Sequence, residues 1–179
     1  FNHQEKLPDW FWTGKTKMNC LKDAIQQSLE YAYAHHIQRL MVTGNFALLA
    51  GIHPDEVDAW YLGIYIDAIQ WVEITNTRGM SQFADGGIVG TKPYVSSAAY
   101  IDKMSHYCGS CFYKKAQKTG ANACPFNSLY WNFYDKHEDQ LAKNPRIGMM
   151  YNVWKRMKPE DKAALLQQAD FYLKNINAL

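Results

Sequence analysis

The residues of this 179-residue chain whose types and spacing best suggest a shared task are its four cysteines, Cys20, Cys108, Cys111 and Cys124. Cys108 and Cys111 form a C-x2-C pair, twelve residues separate Cys111 from Cys124, and Pro125 follows directly. A C-x2-C pair on a turn aims two thiolates at one centre, and four thiolates close a tetrahedral zinc site or hold an iron-sulfur cube. Two disulfides and four unconnected buried thiols are the competing readings. The proline after the last cysteine, and a first cysteine 88 residues upstream of the pair, lean away from a compact zinc ribbon and toward iron-sulfur.

Aromatic rings are a second chemical resource. They make up 15% of the chain and gather in Trp10-Phe11-Trp12, Trp60-Tyr61 and Tyr130-Trp131-Asn132-Phe133-Tyr134. The net charge of +2 hides an asymmetry, since residues 1–102 carry 7 basic and 11 acidic side chains and residues 103–179 carry 12 and 6. No acid occurs from Lys103 to Tyr134, a stretch that holds Lys103, Lys114, Lys115 and Lys118. A basic, aromatic surface suits a polyanion such as nucleic acid.

With 47% hydrophobic and 20% charged residues, the chain reads as one soluble globular domain, which excludes disordered, collagen-like and disulfide-scaffold classes. The longest apolar run, Leu40 to Ile52, is interrupted by Thr43 and Asn45 and falls short of the roughly 20 residues of a membrane span. No secretory leader is present, so the expectation is a piece of an intracellular, cytoplasmic protein with no membrane partner.

The elements that must position these residues are helical. Leu21, Ile25, Leu29 and Tyr33 recur at four-residue spacing and predict a helix from Met18 to His35. Helical period continues from His36 to Ala50 and stops at Gly51. Pro54-Asp55-Glu56 opens a helix predicted to reach Trp71, with Val57, Trp60, Tyr61, Ile64 and Ala68 inward. Periodicity vanishes between Thr75 and Tyr94, where five glycine and proline residues accumulate at 79, 86, 87, 90 and 93, and such a long loop is usually functional. Helices resume over 97–105, 127–141, 152–157 and 159–175. No β-type alternation or internal repeat occurs, so the predicted class is all-α with irregular glycine-rich connections.

The stretch Ala34-His35-His36-Ile37-Gln38-Arg39-Leu40-Met41-Val42 resembles the His-Asn/His-x-x-Arg helix of photolyases and cryptochromes. Tyr65-Ile66-Asp67 is similar to that superfamily's flavin segment. Lys92-Pro93-Tyr94-Val95-Ser96-Ser97-Ala98-Ala99-Tyr100-Ile101, taken with the four cysteines, resembles one branch of it, the iron-sulfur bacterial cryptochromes and prokaryotic (6-4) photolyases. The resemblance covers nearly all 179 residues and implies the carboxy-terminal part of the helical, FAD-binding catalytic domain. It also implies an amino-terminal α/β antenna domain, binding a ribolumazine in this branch, and further flavin contacts, all outside this sequence.

The resemblance implies residue roles. Cys20, Cys108, Cys111 and Cys124 would ligate a 4Fe-4S cluster of structural role. His36, with His35 beside it, would donate a proton where the flavin pocket meets the lesion, which an imidazole can do near neutral pH. Arg39 and Asp67 match an ion pair beside the isoalloxazine ring, and Glu73 stands where many relatives place Asp or Asn facing flavin N5. Trp60, Tyr61 and Trp12 resemble this branch's electron chain; Thr77 occupies the position of the common triad's first tryptophan. Tyr94 and Tyr100 match tyrosines lining the lesion pocket, and Lys114, Lys115 and Lys118 are candidate phosphate contacts.

The activity so implied is light-driven repair of (6-4) pyrimidine-pyrimidone photoproducts in UV-damaged DNA by a monomeric carbon-carbon lyase. Two readings compete with it. One is a cryptochrome-like blue-light photoreceptor with the same cofactors, and the other is an iron-sulfur nucleic-acid-binding module resembling the primase large subunit, which would need neither His36 nor Trp60.

Overall fold

Apolar residues at helical spacing build the first long helix, though not to its expected end. In the computed structural model, which describes residues 1–179, helix α1 spans Asn19–Tyr31 and buries Cys20, Leu21, Ala24, Ile25 and Ser28. Ala32 then turns left-handed at φ 51°, so Leu29 and Tyr33, expected on the apolar face, are exposed.

The run from His36 to Ala50 is helical as expected but changes gauge. It comprises α2 (His36–Gln38), a π-helical turn over Arg39–Gly44 and α3 (Asn45–Ala50), closed by left-handed Gly51 at φ 75°. A π turn inserts an extra residue and frequently marks a functional site. Gly44 is required here, because an added Cβ would stand 2.6 Å from the Arg39 carbonyl oxygen and closer still to Ser81 Oγ.

Helix α4 (Pro54–Ile64) begins at its proline, with His53 Nδ1 accepting from the Asp55 N–H at 3.1 Å. It stops seven residues before the expected Trp71, because Tyr65 is extended. Helix α5 (Gln70–Glu73) then runs into a second π-helical segment, Ile74–Ser81. The expected loop is therefore helical up to Ser81. Its sequence, rich in Thr, Asn and Gly, carries little helical signal, and side-chain bonds such as Thr77 to Glu73 and Arg78 to Asp55 and Asp58 hold it instead.

The remaining helices are α6 (Ala98–Met104), α7 (Pro125–Lys136), α8 (Glu138–Leu141), α9 (Gly148–Arg156) and α10 (Pro159–Lys174). The single helix expected over 127–141 is thus broken at His137, and α9 starts four residues early. Helix α7, buried from Pro125 to Tyr134, packs between α3 and α10 and forms the centre of the core. Phe46 of α3 meets Phe126 of α7 and Trp10 edge-on, at 5.9 and 5.1 Å between ring centres. No strand forms; Glu5–Ile52 and Lys114–Ala123 are isolated bridges. No helix is long and apolar enough to cross a membrane.

Candidate functional site

Two π-helical segments lying against each other, Arg39–Gly44 and Ile74–Ser81, form the walls of an open cavity of about 220 Å³. His36, Arg39, Tyr61, Asp67, Glu73 and Thr77 line it, from three separate stretches of sequence. Arg39 is the fixed charge. Its two terminal nitrogens meet the Asp67 oxygens at 2.9 and 3.0 Å, its Nε donates to the Ala34 carbonyl at 2.8 Å, and its carbon lies 3.9 Å from the Tyr65 ring centre. Glu73 is buried and accepts from the Thr77 hydroxyl. Asp58, behind it, keeps one carboxylate oxygen buried without a partner, and burial pushes its carboxyl up to about 6, outweighing the opposing pull of Arg78.

His36 and His35 have different surroundings. His36 is exposed and lines the cavity. His35 lies outside the lining and caps α2: its Nδ1 accepts from the Ile37 N–H at 3.2 Å, and Gln38 Oε1 accepts from its own N–H at 3.0 Å. That reciprocal pattern is a capping box.

Behind the cavity stands an aromatic column. Tyr61 donates from its hydroxyl to the Arg39 carbonyl at 2.7 Å, and burial raises its phenol well above the ordinary range. Trp60 packs edge-on against Tyr61 and Tyr65, each at 5.6 Å, and is fully enclosed. Beyond it, Phe11 lies 5.4 Å from Trp60 and 4.8 Å from Trp10. Trp12 is exposed, but the ring that continues the column past Phe11 is Trp10.

All four cysteines line one small, mostly apolar cavity, with Met18, Ala98, Ile101, Tyr107, Tyr113, Lys115 and Phe126, whose free space is only about 10 Å³. All four are free thiols, so the disulfide reading fails. Burial pushes Cys124 up to about 12 and Cys20 well above its ordinary value; Cys108 and Cys111 add to the rise at both, and Cys124 adds to it at Cys20. No three of these side chains close on a point as they would around a single metal ion.

No protein-family profile matches the chain. It is 50% identical over 177 residues, 99% of its length, to a (6-4) photolyase of Agrobacterium fabrum. Over nearly its whole length the chain is a homologue of that bacterial (6-4) photolyase. It spans 35% of that photolyase's length. A second relative, an uncharacterized protein of Acanthamoeba polyphaga mimivirus, is 30% identical over 122 residues, 68% of this chain and 90% of the relative.

In this photolyase homologue the tyrosines and lysines assigned from sequence sit apart from the His36 cavity. Tyr94 and Tyr100 are half-buried and outside its lining, with Lys92 Nζ 5.8 Å from the Tyr94 ring centre. Lys114, Lys115 and Lys118 are all exposed, and Lys115 is paired with Asp102 at 2.6 Å. Two buried asparagines that sequence reading passed over fix these segments. Asn45 bonds the Ser96 backbone on both sides, at 3.0 and 3.1 Å, and Asn127 accepts from the Ala98 N–H while donating to the Lys115 and Gln117 carbonyls. An asparagine within an otherwise apolar helix face, as in Gly44-Asn45-Phe46, is the signal that could have found them, since a buried amide needs partners.

Proposed function

We propose that this chain is the carboxy-terminal portion of the helical FAD-binding domain of a (6-4) photolyase, and that it serves light-driven repair of (6-4) photoproducts in UV-damaged DNA. The observation that carries this reading is the convergence of His36, the Arg39–Asp67 pair, Tyr61 and Glu73 on one cavity, with Trp60 directly behind Tyr61. A cationic fork, a buried carboxylate and an open, mixed polar and apolar mouth suit a heteroaromatic ring with hydrogen-bonding edges. Reduced flavin, when bound, supplies the photoexcited electron for repair.

The chain's own residues do the rest. Arg39, held by Asp67, offers positive charge to an electron-rich ring. His36, free of any capping role and exposed at the cavity, is placed to pass a proton to a lesion presented there. Glu73, fixed by Thr77, presents a carboxylate able to accept or return a proton. Tyr61 and Trp60, with rings 5.6 Å apart, are oxidisable groups in van der Waals sequence away from the cavity. Tyr94 and Tyr100 would stack against extruded bases, and Lys114 and Lys118 would meet phosphates.

The four thiols would hold a 4Fe-4S cluster. What supports this reading is that all four thiols, from distant parts of the sequence, line the same small cavity, and four thiolates are the donor set such a cluster takes. Such a group would cross-link α1 to the segment after α6 and to the start of α7.

The test is a blue-light repair assay on an oligonucleotide carrying a single (6-4) lesion, with flavin, iron and sulfide measured on the same protein joined to the remainder of its polypeptide. Repair that is lost in His36→Ala while flavin is retained supports the reading. Flavin reduction without repair in the unaltered protein would turn it into a photoreceptor, and DNA binding with no flavin would leave a nucleic-acid-binding module.

A further inference from the structure

The cavity lined by the cysteines and the turn that carries His36 are joined by a single side-chain hydrogen bond. Tyr107, the residue before Cys108, lines the cysteine cavity, and its phenol oxygen accepts from Gln38 Nε2 at 3.1 Å. We propose that Tyr107 is a positioning residue that makes the orientation of His36 depend on the cysteine site. The inference rests on reading the cysteines as holders of one bound group.

Gln38 is the hub of the connection. Its amide makes all four hydrogen bonds an amide can make. Nε2 donates to Tyr107 and, at 3.2 Å, to Gln27 Oε1, while Oε1 accepts from the His35 N–H at 3.0 Å and from Gln27 Nε2 at 3.4 Å. The bond to His35 is half of the capping box that starts α2, and His36 is the first residue of that helix. Gln38 therefore sets the direction in which the chain enters α2, and with it the side of the turn on which His36 stands. The π-helical turn follows at once, so a shift at Gln38 is passed to Arg39 as well.

The other end of the connection belongs to the cysteines. The Tyr107 carbonyl accepts from Asn19 Nδ2 at 3.5 Å, and Asn19 is the neighbour of Cys20. The C-x2-C turn itself has few backbone bonds, Gly109 N–H to His106 at 3.2 Å and Cys111 N–H to Cys108 at 3.4 Å. A turn so lightly tied takes its position from whatever the thiols hold. With the thiols gathered on one group, the Tyr107 phenol is fixed and the Gln38 network is complete. With the thiols released, Gln38 loses its one partner outside α1 and the α2 entry.

The test uses protein labelled with carbon-13 histidine, with the His36 ring cross-peak assigned through His36→Gln. Tyr107→Phe, which removes one oxygen and keeps the ring in the cavity wall, is expected to keep the full iron and sulfide content and yet move the His36 cross-peak. Gln38→Met, which keeps chain length and removes the amide, is expected to move the same peak. Tyr113→Phe is the control, since Tyr113 lines the same cavity without a bond to α2, and it should leave the peak in place. An unmoved peak in Tyr107→Phe, an equal movement in Tyr113→Phe, or a loss of iron in Tyr107→Phe each overturns the proposal. Unaltered protein without iron or sulfide would instead sink the reading of the cysteines, and that result is read separately from the His36 shift.

Discussion

The guanidinium of Arg39 meets both carboxylate oxygens of Asp67, at 2.9 and 3.0 Å, while its flat face rests 3.9 Å from the centre of the Tyr65 ring. A planar fork that is bidentate on one edge and stacked on one face has no counterpart in an ammonium group. Arg39→Lys keeps the charge and loses both contacts. Flavin affinity, followed by fluorescence titration, should fall by about tenfold, which is ~1.4 kcal/mol and of the size of one charge-assisted hydrogen bond. Unchanged affinity would mean that charge alone is used.

Trp60 is enclosed, and its indole N–H donates to the Phe11 carbonyl at 3.1 Å. Trp60→Phe keeps an aromatic ring, orphans that carbonyl at a cost of about 1–3 kcal/mol, and removes the most easily oxidised ring beside Tyr61. Photoreduction of bound flavin is expected to slow well beyond what the lower melting temperature explains. A rate equal to that of the unaltered protein would leave Trp60 as a core ring and nothing more.

Cys108 is a half-buried member of the four-thiol cavity, beside a lightly bonded turn. If the four thiols hold one cluster as proposed, Cys108→Ala should bring iron and sulfide to background and leave the domain insoluble or with a markedly lower melting temperature, because such a group would bridge three parts of the chain and stabilise only the folded state. Soluble, correctly folded Cys108→Ala protein would show that the group is not structural.

Part of this was legible in the sequence. The helical class and the grouping of the four cysteines follow from residue types and spacing, whereas the Arg39–Asp67 pair follows only from the family resemblance. The two π-helical segments did not, because residues 40–50 are buried on every side and show no one-sided stripe whose register an inserted residue would shift, and the Ile74–Ser81 segment is held by Thr77, Arg78 and their acidic partners rather than by an apolar stripe. Leu29 was misplaced for a local reason, since left-handed Ala32 ends α1 before that side can be covered. Lys115 needed Asp102, thirteen residues earlier, and such a pairing across a turn has no signature in sequence.

His3 and His137 face each other with Nε2 atoms 3.3 Å apart. Burial lowers both to about 4, and at His3 the neighbouring His137 adds to the effect. A histidine whose folded value lies below its unfolded 6.5 binds protons more readily when unfolded. Its contribution to stability is therefore complete above pH 6.5 and is lost as the pH falls toward 4. His137→Gln should flatten the acid limb of the melting-temperature profile in that window and change it little at pH 8. An unchanged acid limb would assign acid sensitivity elsewhere.

The adjacent histidines give the sharpest separation of fold from chemistry. His35 Nδ1 accepts from the Ile37 N–H at 3.2 Å and closes the capping box with Gln38, so its side chain is committed to starting α2. Removing an N-cap acceptor typically costs about 0.5–2 kcal/mol, and His35→Ala should lower the melting temperature. His35→Asn, which restores an acceptor at the same place, should recover most of that loss and support repair. His36 makes no such bond and faces the cavity, so His36→Ala should melt like the unaltered protein, bind flavin and fail in repair of a (6-4) lesion. If His35→Asn instead abolishes repair with stability intact, the proton donor is His35 and the capping geometry relaxes when the lesion arrives. If His36→Ala repairs at the normal rate, neither the exposure of His36 nor its place on the cavity wall has catalytic meaning.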